Sequence, residues 1–154
     1  MTSNRIHPTA IVGPEVVLGS GNVVGPYCVL QGPVTVGDDN YFASHVVVGG
    51  AAEVRGHAMT ASWEEPFDGG AVRIGSGNVF KEFVTLSGGW AGETTVGDDC
   101  FVMTKAHINH DGHLGNEVIV SGMVVTAGHV TIEDGANLGL GTVVHQRLTV
   151  PAGA

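Results

Sequence analysis

Apolar residues recur along the chain at every sixth position. From Ile6 the series runs through Val12, Leu18, Val24, Leu30, Val36, Phe42 and Val48. It is lost through residues 49–73, returns at Ile74, Phe80 and Leu86, slips by four residues, and resumes at Val96. The last run is the longest, from Val102 through Ile108, Leu114, Val120, Thr126, Ile132, Leu138 and Val144 to Val150. Thr126 is the one polar residue in the whole series. A period of six is neither the 3.6-residue period of a helix nor the simple alternation of a flat sheet, so it marks an internal repeat.

Each period reads as a short strand and a turn. The residue after the apolar mark is Gly at positions 13, 19, 25, 37, 49, 75, 97, 115 and 139, and turn formers follow, as in Gly37-Asp38-Asp39-Asn40 and Gly97-Asp98-Asp99. Four positions past the mark sit small or modest residues such as Ala10, Cys28, Val84, Cys100, Ala106 and Ala136, expected to point inward beside the bent backbone. Three units close one triangular coil. The repeat therefore predicts an all-β chain, a left-handed parallel β-helix of about seven triangular coils. It forms a single domain over residues 1–154, with loop insertions at 49–73 and 87–95.

Composition narrows the function classes. Hydrophobic residues at 43% and charged residues at 14% describe a folded chain, and the 25 glycines follow no collagen-like period, so they serve the turns. Six basic against fifteen acidic residues give a net charge of −9, which repels phosphate backbones and anionic lipid, so neither nucleic acid nor membrane insertion is expected. The N-terminal residues lack a hydrophobic signal core, and the expected location is cytoplasmic. Cys28 and Cys100 form no CxxC pattern and are expected to be small buried thiols.

The geometry of the repeat gathers the candidate chemistry. Residues eighteen apart stack on successive coils, separated by one strand spacing of roughly 4.8 Å. The turns after 108, 126 and 144 then share one corner, and they carry His110 with Asp111, His129, and His145. The unit starting at Leu86 adds Ser87 one coil below, and both insertions leave from that corner, where solenoids place binding loops. In the flanking strands His107 and His113 point outward. Outward strand positions such as Ile11, Val29, Val79, Phe101, Ile119 and Val143 are too apolar for a lone subunit. Subunits packed side by side are expected.

The chain resembles the hexapeptide-repeat acyltransferases over nearly all its length, and within them the UDP-N-acetylglucosamine 3-O-acyltransferases of lipid A synthesis. Lys81-Glu82-Phe83-Val84-Thr85-Leu86 is similar to their Arg-Glu-Ser-Val-Thr-Ile, and Ala106-His107-Ile108-Asn109-His110-Asp111 to their Ala-His-Ile-Ala-His-Asp. Gly141-Thr142-Val143-Val144-His145-Gln146 is similar to their second histidine motif. The resemblance implies a homotrimer that moves an acyl group from acyl carrier protein or coenzyme A to a hydroxyl or amine. The acceptor would be a UDP-sugar or similar small molecule, and the acyl thioester is a co-substrate, with no other cofactor or metal. It passes the role of general base to His110. Imidazole suits that task because its pKa lies near neutrality, and Asp111 can hold the ring. A main-chain N–H such as that of Gly128 is the candidate oxyanion donor. His107, His129, His145, Ser87 and Lys105 are the candidate substrate contacts, and Trp63, Phe67 and Trp90 in the insertions could line a pocket or cap the core.

The chain departs from that pattern in three places. Ser87 stands where the lipid A enzymes have a histidine, and the 49–73 loop lacks their Asp-containing segment. The last residues, Val150-Pro151-Ala152-Gly153-Ala154, are still within the repeat, so the helical C-terminal domain of the family is not expected here. Two other readings stay open. A zinc site of the γ-carbonic-anhydrase type would use histidines from neighbouring subunits, although no two histidines here have the H-x4-H spacing and Lys105 lies where the earlier one would be. A non-catalytic structural trimer is the other.

Overall fold

The computed structural model describes residues 2–55 and 70–154. Its strands fall into three parallel sheets of seven strands each. The first sheet runs from Arg5–Ile6 to Asn137–Leu138, the second from Ile11–Val12 to Val143–Val144, and the third from Val16–Leu18 to Thr149–Val150. Consecutive strands never pair; each pairs with the strand one full coil away, as Ile11 does with Val29 and Thr126 with Val144. This is the triangular left-handed β-helix that the six-residue period predicts. Among the described residues no helix is long and apolar enough to cross a membrane.

The marked residues form the core. Leu30, Phe42, Phe80, Leu86, Ile108 and Ile132 are fully buried, and Phe42 stacks on Phe80 with ring centroids 5.0 Å apart. Cys28 and Cys100 are buried free thiols whose pKa burial pushes up. At the corner between the third and first sheets the inward position is Asn22, Asn40 and Asn78, a ladder not evident from the apolar period. Each Oδ1 accepts the N–H of the coil above, from Asn40, Asn78 and Cys100 in turn, at 2.8–2.9 Å. Each side-chain amide donates to a corner carbonyl, of Gly37, Gly75 or Gly97. Full satisfaction is what lets three amides sit in an apolar prism.

The three outer faces differ. Between Arg5 and Asn137 at its ends the first sheet shows Val23, Tyr41, Val79, Phe101 and Ile119, and apart from Thr85 and His107 the second shows Ile11, Val29, Val47, Val125 and Val143. Past Val17, the third sheet shows Thr35, Arg73, Thr95, His113 and Thr131. Two faces are thus mostly apolar and one is mostly polar. Their shared corner carries Tyr27, His45 and Phe83, stacked at 5.1 and 4.9 Å.

Both insertions leave from the second sheet, from the strands Val47–Gly50 and Thr85–Ser87. They are shorter than the apolar marks suggest. Pairing persists to Gly50, and the third sheet takes the chain back at Val72 and Thr94, whose side chains turn inward with Ile74 and Val96. Trp63 and Phe67, assigned above to a pocket or a cap on the core, lie outside the described residues.

Candidate active site

The corner between the second and third sheets holds the candidate chemistry. The turn after Ile108 is built by local polar bonds: the Asn109 side-chain oxygen accepts the His110 N–H at 2.7 Å, and Thr126 Oγ1 accepts the Asn109 N–H at 3.2 Å. Thr126 is buried in the core position of the coil above, and its hydroxyl also reaches the His107 carbonyl at 3.5 Å. The one polar mark in the repeat therefore serves the turn that carries His110.

Within that turn His110 Nδ1 lies 2.8 Å from Asp111 Oδ2. Asp111 is only 3% exposed, and it also accepts three consecutive main-chain N–H groups from the second insertion. Trp90 N–H reaches Oδ2 at 3.0 Å, and Ala91 and Gly92 N–H reach Oδ1 at 3.1 and 2.7 Å. Burial pushes the carboxyl pKa up, but the His110 bond and the three amides outweigh it and hold the group below the usual carboxylate value. An ionised carboxylate only accepts, so the proton between the two side chains sits on His110 Nδ1. In the neutral ring Nε2 then keeps its lone pair. Gly128 lies against this part of the ring, and a Cβ built there would overlap His110 at Cε1 and Nε2.

His129 joins the pair by a different register from the one its position in the motif suggests. Pairing of Val125 with Val143 and His107 with Val125 puts Asp111, His129 and Arg147 in one column. All three have left-handed backbones, with φ of 55, 59 and 62°. His129 therefore stacks above Asp111, with Nε2 3.7 Å from Oδ2, and its ring meets His110 edge-on at 5.2 Å. Arg147, one coil further, is an exposed cation that the histidine pattern did not flag; the eighteen-residue step from His129 would have found it.

His145 shares the corner, but at the strand-end position of Asn109, and it is exposed with no bond to His110 or His129 among the described residues. Ser87 is buried one coil below Asn109, at the bulge where it pairs with Gly50. His107 faces outward from the second sheet as expected, yet it is half-buried. Its Nδ1 meets the Thr85 hydroxyl at 2.7 Å, and Glu53 Oε2 lies 3.7 Å from Nε2, which has no hydrogen-bond partner among the described residues. Burial lowers its pKa, against a smaller opposing effect of Glu53, so the ring is neutral near pH 7. Lys105 stands exposed at the opposite edge of the second sheet, and the chain's own coil does not bring it to His110.

His110, Asp111 and His129 present donor atoms within 4.8 Å of one another, the spacing of a metal site. Asp111 does not fit that use. Its oxygens already accept four donors, which occupies the lone pairs a cation would need. The arrangement fits proton transfer at His110 Nε2.

Residues 15–50 match the bacterial transferase hexapeptide family, six repeats. The acyl-[acyl-carrier-protein]–UDP-N-acetylglucosamine O-acyltransferase of Agrobacterium fabrum is 39% identical over 157 residues, covering 94% of this chain and 58% of that protein. The enzyme of that name from Thermodesulfovibrio yellowstonii is 34% identical over 147 residues, covering 85% of this chain and 56% of its own length. The solved structure of Francisella novicida UDP-N-acetylglucosamine acyltransferase superimposes with a TM-score of 0.65 at 27% identity, over 97% of this chain and 61% of that one. The chain thus spans less than two thirds of the length of these relatives. Residues 15–50 carry the hexapeptide repeat, the described residues fold as a left-handed parallel β-helix, and most of the chain's length is similar to UDP-N-acetylglucosamine O-acyltransferases.

Proposed function

We propose that the chain catalyses acyl transfer from a thioester of acyl carrier protein or coenzyme A to a hydroxyl of a UDP-sugar or a related small molecule. The observation that carries this reading is the dyad: Asp111 holds His110 at Nδ1 and leaves Nε2 as a base beside Gly128. In the first step Nε2 takes the acceptor's proton as its oxygen bonds to the thioester carbonyl carbon, and the carbonyl electron pair moves onto oxygen. The Gly128 N–H, which donates to no group among the described residues, stands beside the base to receive that oxyanion. The intermediate collapses, the C–S bond breaks, and the sulfur takes the proton from Nε2. His129, His107 and Ser87 are the proposed substrate contacts. Arg147 suits a substrate phosphate. An amine acceptor would follow the same course; the naming of the relatives as O-acyltransferases favours a hydroxyl.

The assembly we propose is a homotrimer. The two apolar faces differ from each other, so the first sheet of one copy packs on the second sheet of the next, a head-to-tail contact that closes into a ring. His145 and Lys105 then have neighbours that a single chain does not provide. A non-catalytic trimer would share this surface but has no use for a clamped His–Asp pair.

Thioesters of acyl carrier protein and coenzyme A, incubated with UDP-sugar acceptors, test the proposal through release of free thiol. Acceptor-dependent release is expected, and His110→Ala should lower it by about 10²–10⁴-fold. Transfer that survives in His110→Ala would sink it. One tightly held zinc per subunit, in protein purified without chelator, would favour the carbonic-anhydrase-like reading instead.

A further inference from the structure

The second insertion is tied into the fold at two ends. At its base the backbone is packed without side chains: Gly88 N–H donates to the Gly50 carbonyl at 2.7 Å, Gly70 N–H to Gly89 at 2.8 Å, and Thr94 N–H to Ala71 at 2.9 Å. A Cβ at Gly70 would overlap the Gly89 and Gly92 carbonyls, and one at Gly89 the Gly92 carbonyl, so only glycine lets these segments touch. At its tip the loop turns three successive N–H groups, of Trp90, Ala91 and Gly92, onto the Asp111 carboxylate. Three amides converging on one anion form a nest. No side chain of the loop is needed for these bonds.

We propose that residues 88–92 are a positioning clamp for the proton-transfer pair: their main-chain N–H groups fix the Asp111 carboxylate in one orientation and, through Oδ2, hold the His110 ring with Nε2 turned to Gly128. The proposal rests on the acyl-transfer reading for its kinetic consequence only. Asp111 sits at a left-handed turn position, where its side chain could otherwise swing among rotamers; the amides remove that freedom. The titratable groups facing it are His110 on its own turn and His129 from the coil above. Glu93 in the loop is turned away to Arg73, at 2.7 Å. The amides are therefore the part of its environment that is not itself titratable. These residues position and do not touch the reacting atoms, so their loss should act on kcat more than on KM.

Two deletions of an N–H test this. Ala91→Pro removes the donor shared between both carboxylate oxygens, and an ester in place of the Gly92 amide removes the shortest of the three bonds with little change in shape. Ala91→Gly keeps the donor and is the conservative control. The readout independent of activity is the pH titration of the Asp111 carboxyl carbon and the His110 ring nitrogens by NMR. The clamp favours the charged carboxylate, so its loss should move the Asp111 titration to higher pH and weaken the Nδ1–H tautomer of His110. Where acyl transfer is measured, kcat should fall about tenfold with KM within about twofold, and the acid limb of the profile should move to higher pH. Ala91→Gly should behave as the unaltered chain. An unchanged Asp111 titration in the ester form would overturn the clamp, and so would Ala91→Gly reproducing the loss seen in Ala91→Pro. If Ala91→Pro does not fold, the ester decides. If no acyl transfer is found at all, the acyltransferase reading fails while the titrations still judge the clamp.

Discussion

At the corner between the third and first sheets, Asp38, Asp98 and Asp134 each accept the N–H of a residue on a neighbouring coil, from Ser20, Ser76 and Asn116, at 2.6–2.7 Å. Behind them the buried asparagines consume one another's donors and acceptors along the stack. At the corner between the second and third sheets, Asp111 also accepts main-chain N–H groups, but its fourth donor is an imidazole. The first corner closes its hydrogen bonds on itself. The second passes one outward, because a ring held at one nitrogen presents the other. Polar groups at a solenoid corner serve structure where every donor is matched within the coil, and chemistry becomes available where a two-headed group is matched at one end only.

Breaking the closed corner should cost the most. Asn40→Ala strands the N–H of Asn78, takes one of the two acceptors from its side-chain amide and leaves the Gly75 carbonyl unpaired, so unfolding free energy should drop by about 3–5 kcal/mol, measured by denaturant titration. Molecules that stay folded should keep their kcat. The open corner should answer in the opposite way. Gly128→Ala forces the His110 ring out of place, so kcat should fall by about 10²-fold while stability changes by no more than about 1 kcal/mol. A larger loss of stability than of activity would blur the distinction between the corners.

A smaller effect tests how the core supports the open corner. Thr126→Val keeps the shape but removes the acceptor of the Asn109 N–H, and should cost about 1 kcal/mol with a modest loss of kcat. The smallest concerns pH. The folded His107 titrates below its usual value of 6.5, so between that value and its folded pKa the unfolded chain binds more protons. Stability should therefore decline as pH falls below about 6.5, and His107→Gln should flatten that part of the curve. An unchanged slope would mean that His107 is not held neutral in the folded chain.

The apolar period alone carries the coil, the three faces and the corner from which both insertions leave. Each mark is a side chain that must face the axis, and a slip of one residue would turn every such chain outward. Thr126 shows where that logic stops, since a polar residue in the core has a partner that no periodicity names. His129 shows it at finer scale. The repeat places it at the corner of His110, but the left-handed turn position it shares with Asp111 decides that it lies over the carboxylate. Lys105 and His145 have the residue types of a site without, in one chain, its position. Arg147 has the position without the motif.

By itself the sequence determined the prism and the column, because six-residue spacing converts directly into which Cβ points inward and which residues stack one strand apart. It also placed a His–Asp pair in a turn. Only the tertiary structure decided that the pair is clamped, since the three donors are main-chain N–H groups carried by Trp90, Ala91 and Gly92, and a main-chain donor leaves no mark in residue type. It alone decided that His107 is half-buried beside Glu53, because Glu53 belongs to an insertion whose path no repeat governs. Periodic contacts are local to the coil and can be read in advance. Contacts made by the interruptions depend on where the chain travels between coils.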